Sequence, residues 1–260
     1  LYLSIPSLYD SGRVQKALYN NLVKEFGLNL SLSSDITYRI LPKPHFYIKD
    51  SKVFREKNEI LDEIGEIKEV RIFISQKNFF DKKRIYIKEI ELTRANFFFK
   101  RQNINFISNL LKNEFPHKKI KIKKSKLFFN DKNKSIIFIY TINNLSLFEN
   151  KKENIQQLRS NGELFKIPIK FFWQRNLQNK DTISNFKADK LDIHFINKGR
   201  FLSGEYIYDN NLNILTNNFR TTYKIFKDRI EFNSKKSLIK NTPVSYDGNI
   251  NLKPFNFDII

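Results

Sequence analysis

Three histidines are the residues of this chain best suited to general acid–base chemistry: His45, between Pro44 and Phe46, His117, after Pro116, and His194, in the run LDIHF. Imidazole titrates near neutrality and ligates metals, so each is a candidate until its neighbours are considered. None has a second ligand at metal-site spacing. His194 alone has a carboxylate close in sequence, Asp192, two residues back and on the same face of a strand; an ordinary solvated strand face accounts for that pair. Glu63 with Glu66 and Glu89 with Glu91 are pairs that surface charge produces equally well. The sequence has no Cys, which removes disulfides, thiolate metal sites and a thiol nucleophile. Its 7 scattered Gly give no phosphate-cradling loop, and no G-x-S-x-G or H-E-x-x-H occurs. The residues therefore point away from an enzyme, and no cofactor or metal is expected.

Charge is the next chemical feature. Lys and Arg number 47 against 27 Asp and Glu, a formal net charge of +20, and a field of that size attracts nucleic acid, anionic membrane or acidic polymers. Lys, Asn, Ile and Phe are enriched together, as an AT-rich genome produces, and the Lys residues are spread rather than blocked. The strings FFFKR, KLFFN and KFFWQR resemble base-stacking platforms. In most of the chain, however, the rings share a phase with Ile and Leu while Lys and Arg take the other phase. The rings thus belong to an apolar face, and specific nucleic-acid recognition is not expected.

The elements that carry these residues are mostly strands. With 40% hydrophobic residues and 26 Phe the chain has the material of a folded protein. A helix is expected first, N-capped by Asp10 or Ser11, with Val14, Leu18, Leu22 and Phe26 on one face and Gly27 past its end. Period-two alternation follows at Leu28, Leu30 and Leu32, then at Ile36, Tyr38 and Ile40, and Pro42 and Pro44 interrupt it. The charged stretch 51–66 predicts a short helix around Asn58 to Ile64, after which Val70, Ile72 and Ile74 alternate. From Lys83 to Arg101, Ile85 and Ile87 lie in one phase and Ile90 and Leu92 in the other, before Ala95, Phe97 and Phe99. The slip at Lys88 predicts a β-bulge that returns the apolar side chains to one face. A short helix is expected from Ile104 to Glu114. The run from Lys119 to Asn130 repeats the design, with Ile120 and Ile122, a slip, then Leu127 and Phe129. Further strands are expected at 135–148, 162–173, 185–197, 201–209, 212–226, 229–233 and 246–257, with turns at 130–133, 209–211 and 247–248.

So many one-sided strands make a continuous apolar face that must leave water, at roughly 25 cal/mol per Å². Two or three helices are too few to cover it, which leaves a sheet closed on itself or curled into a trough that meets lipid tails. The expected fold is mainly β: an elongated, curled antiparallel sheet forming an open groove, with an N-terminal amphipathic helix and one or two short helices. A first region over 1–115 leads into a continuation of the groove over 116–260. The expected lining is Ile85, Ile87, Ile90, Leu92, Phe97, Phe99, Ile120, Ile122, Leu127 and Phe129. With no Met in the sequence and an opening LYLSIP, the chain is expected to be a fragment, any membrane anchor lying upstream.

Four passages carry a family resemblance. GLNLSLSSDITYRILPKPHFYIKDSKVF after the opening helix resembles the chorein-like N-terminal start of the AsmA-like proteins of Gram-negative bacteria. EIKEVRIFISQKNFFDKKRIYIKEIELTRANFFFKRQNINFISNL resembles their most distinctive stretch, with an I-x-I-x-x-[IL]-x-L phrase. KIKIKKSKLFFNDKNKSIIFIYTINNLSLF resembles the hairpin after it, and GELFKIPIKFFW and GNINLKPFNF echo later phrases. Phe79-Phe80-Asp81-Lys82 departs from the family's Leu- and Gly-bearing link, and Ala95 stands where Pro is common. The resemblance implies a periplasmic β-groove held at the inner membrane by an N-terminal helix that this sequence lacks. It also implies phospholipid as partner, passage of that lipid toward the outer membrane, and maintenance of that membrane. A structural or scaffold β protein of the envelope is the alternative from another class, and the resemblance names no protein partner.

Overall fold

The computed structural model describes residues 12, 28–31, 36–57, 60–74, 87–100, 119–130, 136–252 and 255–259. The helices expected over 14–26 and 104–114, the boundary expected at 115/116, and Ile85 lie outside these residues. What is described is almost wholly strand, and the chain divides into two units, 1–149 with 162–165 and 150–161 with 166–260.

The first unit contains β1 (Leu28–Ser31), β2 (Ile36–Arg39), β3 (His45–Lys57), β4 (Ile60–Ile74), β5 (Ile87–Lys100), β6 (Lys119–Asn130) and nearly all of β7 (Ile136–Asn150). They hydrogen-bond in the order β1-β3-β4-β5-β6-β7, with β2 also on β3. The β5–β6 pair is parallel and the others antiparallel, so this sheet is mixed rather than antiparallel as expected. A parallel register places Ile90 beside Ile120, Leu92 beside Ile122 and Phe97 beside Leu127, and alternation alone does not distinguish that from the antiparallel choice.

Of the short helix expected around 58–64, residues 60–64 are instead the start of β4, where Glu63 lies opposite Phe54 and Asp62 opposite Arg55, and 58 and 59 lie outside the described residues. The charges that give the stretch its helical look serve cross-strand pairs, Lys52 to Glu63 at 3.0 Å and Lys100 to Asp62 at 3.0 Å. The bulge expected at Lys88 is present: Phe73 pairs with Glu89 and Ile74 with Ile87, which leaves Lys88 with no opposite residue on β4. Ile87 and Ile90 are consequently both buried.

A second slip is shared by five strands. Asp50, Arg94 and Lys124 have left-handed backbones, with φ of 47°, 55° and 47°. The registers on either side align Asp50 with Lys68, Lys68 with Arg94, Arg94 with Lys124 and Lys124 with Asn143. At this row each strand sends two consecutive residues outward and then resumes its apolar face one residue out of phase: Ile48 then Ser51, Val70 then Ile67, Leu92 then Ala95, Ile122 then Ser125, Leu145 then Ile142. Because all five slip together, the pairing register is unbroken. The row just past the crease, Ser51, Ile67, Ala95, Ser125 and Ile142, is among the most deeply buried of the unit. Phe46, Ile48, Val53, Ile64, Val70 and Ile72 complete the core with Ile87 and Ile90, and Leu92 and Phe97 pack against it.

β8 (Ile155–Leu164) is divided between the units. The second unit continues with β9 (Ile167–Asn176), β10 (Thr182–Ala188), a single 3-10 turn (Asp189–Leu191), β11 (Ile193–Leu202), β12 (Glu205–Ile214), β13 (Asn217–Ile225), β14 (Arg229–Ile239), β15 (Thr242–Leu252) and β16 (Phe255–Ile259). From β9 onward each strand pairs antiparallel with its chain neighbour. Two of the expected turns are not turns. Asp209-Asn210-Asn211 lies inside β12 and Asp247-Gly248 inside β15. Reversals fall instead at Phe165-Lys166, Ser203-Gly204 and Lys240-Asn241, each with two consecutive left-handed residues, the geometry of a type I′ hairpin whose twist matches the strands it joins.

Candidate functional site

The two described histidines, His45 and His194, stand on different strands, each with its own polar partner. His45 is buried on β3; its Nδ1 lies 2.6 Å from the carbonyl oxygen of Lys43, and its ring is 5.2 Å from that of Phe73. Removal from water holds its pKa below the usual imidazole value, against the raising effect of the Lys43 hydrogen bond. His194 places Nε2 3.1 Å from Oδ1 of Asn185. Asp192 precedes β11 in a left-handed conformation rather than sharing the strand with His194, so the common strand face expected for the two is not formed. His117 is outside the described residues.

The feature with the chemistry of a binding surface is apolar. In the first unit the registers set Ile90 beside Ile120, Leu92 beside Ile122, Phe97 beside Leu127 and Phe99 beside Phe129. Ile87 and Ile90 belong to the closed core, whereas Phe99, Ile120, Ile122, Leu127 and Phe129 remain half-buried. The opposite face carries ions: Glu91 meets Arg71 at 3.2 Å and Lys123 at 2.7 Å, Glu89 meets Lys121 at 2.7 Å, and Glu69 joins Arg71 and Arg94. Lys121 and Lys123 thus face away from Ile120 and Ile122, and both hold carboxylates.

The second unit also carries a partly open apolar face, on residues outside the expected lining. Its registers form continuous rows across the strands. One row is Phe171, Phe186, Phe195, Leu212 and Phe219, and another on the same face is Tyr208, Tyr223 and Phe232. Rings follow one another along the face, Tyr206 to Tyr208 at 5.6 Å and Tyr208 to Tyr223 at 4.9 Å, the latter nearly parallel. Gly199 lies opposite Tyr208, and a Cβ there would stand 2.7 Å from the ring and 2.5 Å from the Thr182 hydroxyl, so the ring covers a position only glycine leaves open. Between these rows runs one that begins at the aromatic Trp173 and continues through the polar Ser184, Asn197, Asn210 and Thr221 to Ser234 and Tyr246. Asn197 accepts a hydrogen bond from the Tyr223 hydroxyl at 3.1 Å, and the Thr221 and Tyr246 hydroxyls are 2.6 Å apart.

No family model matches the chain, and no curated protein does.

Electrostatics agree with the packing. Burial, with Tyr223 and Tyr206 nearby, pushes the Tyr208 phenol up to about 12, and burial also raises Tyr223 against the lowering effect of its Asn197 hydrogen bond. Yet Ile155 and Ala188 are the only hydrophobic residues buried among the described residues of this unit. The large side chains of its apolar rows are half-buried, and the principal contacts between its strands join sheet neighbours. The alternation of Ile193 with Phe195, and of Tyr206 with Tyr208, is the signal in the sequence that marks these strands as ring-bearing. No helix among the described residues is long and apolar enough to cross a membrane.

Proposed function

We propose that this chain is a non-enzymatic lipid-handling protein whose β9–β16 sheet accommodates phospholipid acyl chains. The observation that carries the reading is the apolar face of that sheet, whose Phe, Tyr and Leu side chains are only half-buried. Burying the part of that face that stays open is favourable at roughly 25 cal/mol per Å². An acyl chain is a flexible apolar occupant that makes no directional demand, which suits rows of Phe and Leu running across many strands. The AsmA-like resemblance of the sequence extends the proposal to passage of phospholipid between the inner and outer membranes of a Gram-negative envelope.

Trp173, the only Trp in the sequence, shares the face with Phe171 and makes the test direct. Phospholipid brominated on its acyl chains should quench Trp173 fluorescence on binding, and an analogue spin-labelled on its headgroup should quench it less. Purified protein that carries no lipid, and whose Trp173 is unaffected by either probe, would remove the proposal. Photo-crosslinkers along the face that give only protein adducts would favour a scaffold instead.

A further inference from the structure

We infer that the end of the first unit's sheet formed by the last residues of β5 and β6 and the first of β7 is a membrane-contact edge that seats in the interface of an anionic lipid bilayer. Over most of β5 and β6 one face is apolar and the other carries ions. At this end the rule weakens: both faces carry large apolar residues, and Lys100, in the phase of Phe98, is held by Asp62. Phe99, Phe129 and Phe138 lie in one row, with the last two rings stacked at 5.0 Å. On the opposite face Phe98 stacks on Phe128 at 5.5 Å, and Phe128 lies beside Ile139. Ile136, Ile137 and Ile139 are 55%, 52% and 38% exposed. A β-strand that shows large apolar residues on two sides has no arrangement in which water wets only its polar face.

Charge selects the occupant. Immediately behind the apolar end, Lys126 shares the face of Phe128, and Lys124 stands at the crease. Both are exposed and have no ionic partner among the described residues, unlike Lys121 and Lys123. Rings and isoleucines in front with exposed cations a few residues behind match the layering of a bilayer interface, where acyl carbon lies beneath anionic phosphate. These residues lie on other strands than the acyl-chain face of β9–β16, so either surface can stand without the other.

The test moves the fluorophore. In the full chain with Trp173→Phe, a Trp placed by Ile139→Trp should be quenched by acyl-brominated lipid in vesicles containing phosphatidylglycerol, and one placed by Asn143→Trp at the crease should be quenched far less. Ile137→Asn with Ile139→Asn should lower vesicle co-sedimentation about tenfold, with little loss of stability because both side chains are exposed. Lys124→Gln with Lys126→Gln should lower it for phosphatidylglycerol vesicles and not for pure phosphatidylcholine. Binding to vesicles with the Ile139→Trp probe unquenched would overturn the inference. So would a concentration-dependent dimer abolished by the isoleucine pair without any vesicle binding, which would make the edge a contact between copies of the chain. Trp173 quenching in the unaltered protein reports separately on the β9–β16 face.

Discussion

The Ser125 hydroxyl accepts a hydrogen bond from the amide of Ala95 at 2.9 Å and donates one to the carbonyl of Lys123 at 2.7 Å. Arg94 and Lys124, one residue before each, are left-handed, so backbone groups at the crease leave the regular ladder and need another partner. Ser125→Ala should therefore leave the buried Ala95 amide unsatisfied and lower stability by about 1–3 kcal/mol. Urea unfolding of the two proteins measures it, and equal midpoints would show that the hydroxyl is dispensable.

Lys124 occupies a conformation that costs a side-chain-bearing residue about 1–2 kcal/mol. Lys124→Gly should be neutral or stabilising, whereas Lys126→Gly, in extended strand, should destabilise. A reversed order in thermal melts would contradict the crease.

Glu91 has a side chain only 7% exposed and meets both Arg71 and Lys123. Glu91→Ala takes the carboxylate from Lys123 and leaves Arg71 with Glu69 alone, and the expected loss is about 1–3 kcal/mol, below that of a wholly buried pair because both partners keep solvent access. Chemical denaturation in low and high salt checks it: the deficit should shrink as salt screens the charge left on Lys123.

Gly199→Ala should destabilise by about 1–3 kcal/mol, since the new methyl meets the Tyr208 ring and the Thr182 hydroxyl. The hydroxyl can turn aside by a rotamer change and the ring, held among its neighbours, cannot. In a Tyr208→Ala background the Gly199→Ala substitution should therefore cost much less. A double-mutant cycle with no coupling would show that the ring does not rest on the glycine.

Stability should also depend on His45. Burial holds its folded pKa below the ordinary imidazole value, so the unfolded chain takes up a proton that the folded chain resists. The contribution of the neutral ring is intact above the unfolded value of about 6.5 and is lost as pH falls from there through the lowered folded value. His45→Gln should flatten the decline in unfolding midpoint between about pH 7.5 and 5.5, the window that brackets the unfolded value; an unchanged slope would assign the decline to other groups.

Strand content and the phase slips are legible because they are written in side-chain period. Lys88 is one extra residue in an otherwise alternating string, and Ile122 to Leu127 records the crease in the same way. The direction of the β5–β6 pair is not legible, since Ile120 and Ile122 meet Ile90 and Leu92 equally well in either sense. Turn chemistry misleads where a type I′ reversal uses Phe165-Lys166 while the turn-like residues Asp209, Asn210 and Asn211 stand in a strand. The expected lining falls on β5 and β6, where Ile87 and Ile90 are core, because a sequence shows which side chains share a face but not which part of that face is covered.

In the second unit every strand from β10 to β15 leans on the strand just before and the strand just after it in the chain. Contacts of that kind close only short loops, which favours assembly by growth outward from any one reversal. Stability is then approximately a sum of local terms and nearest-neighbour terms, as in tandem-repeat arrays. Duplication or deletion of two adjacent strands alters one junction and leaves the remainder intact, so strand number is a quantity that evolution can adjust without rebuilding a centre.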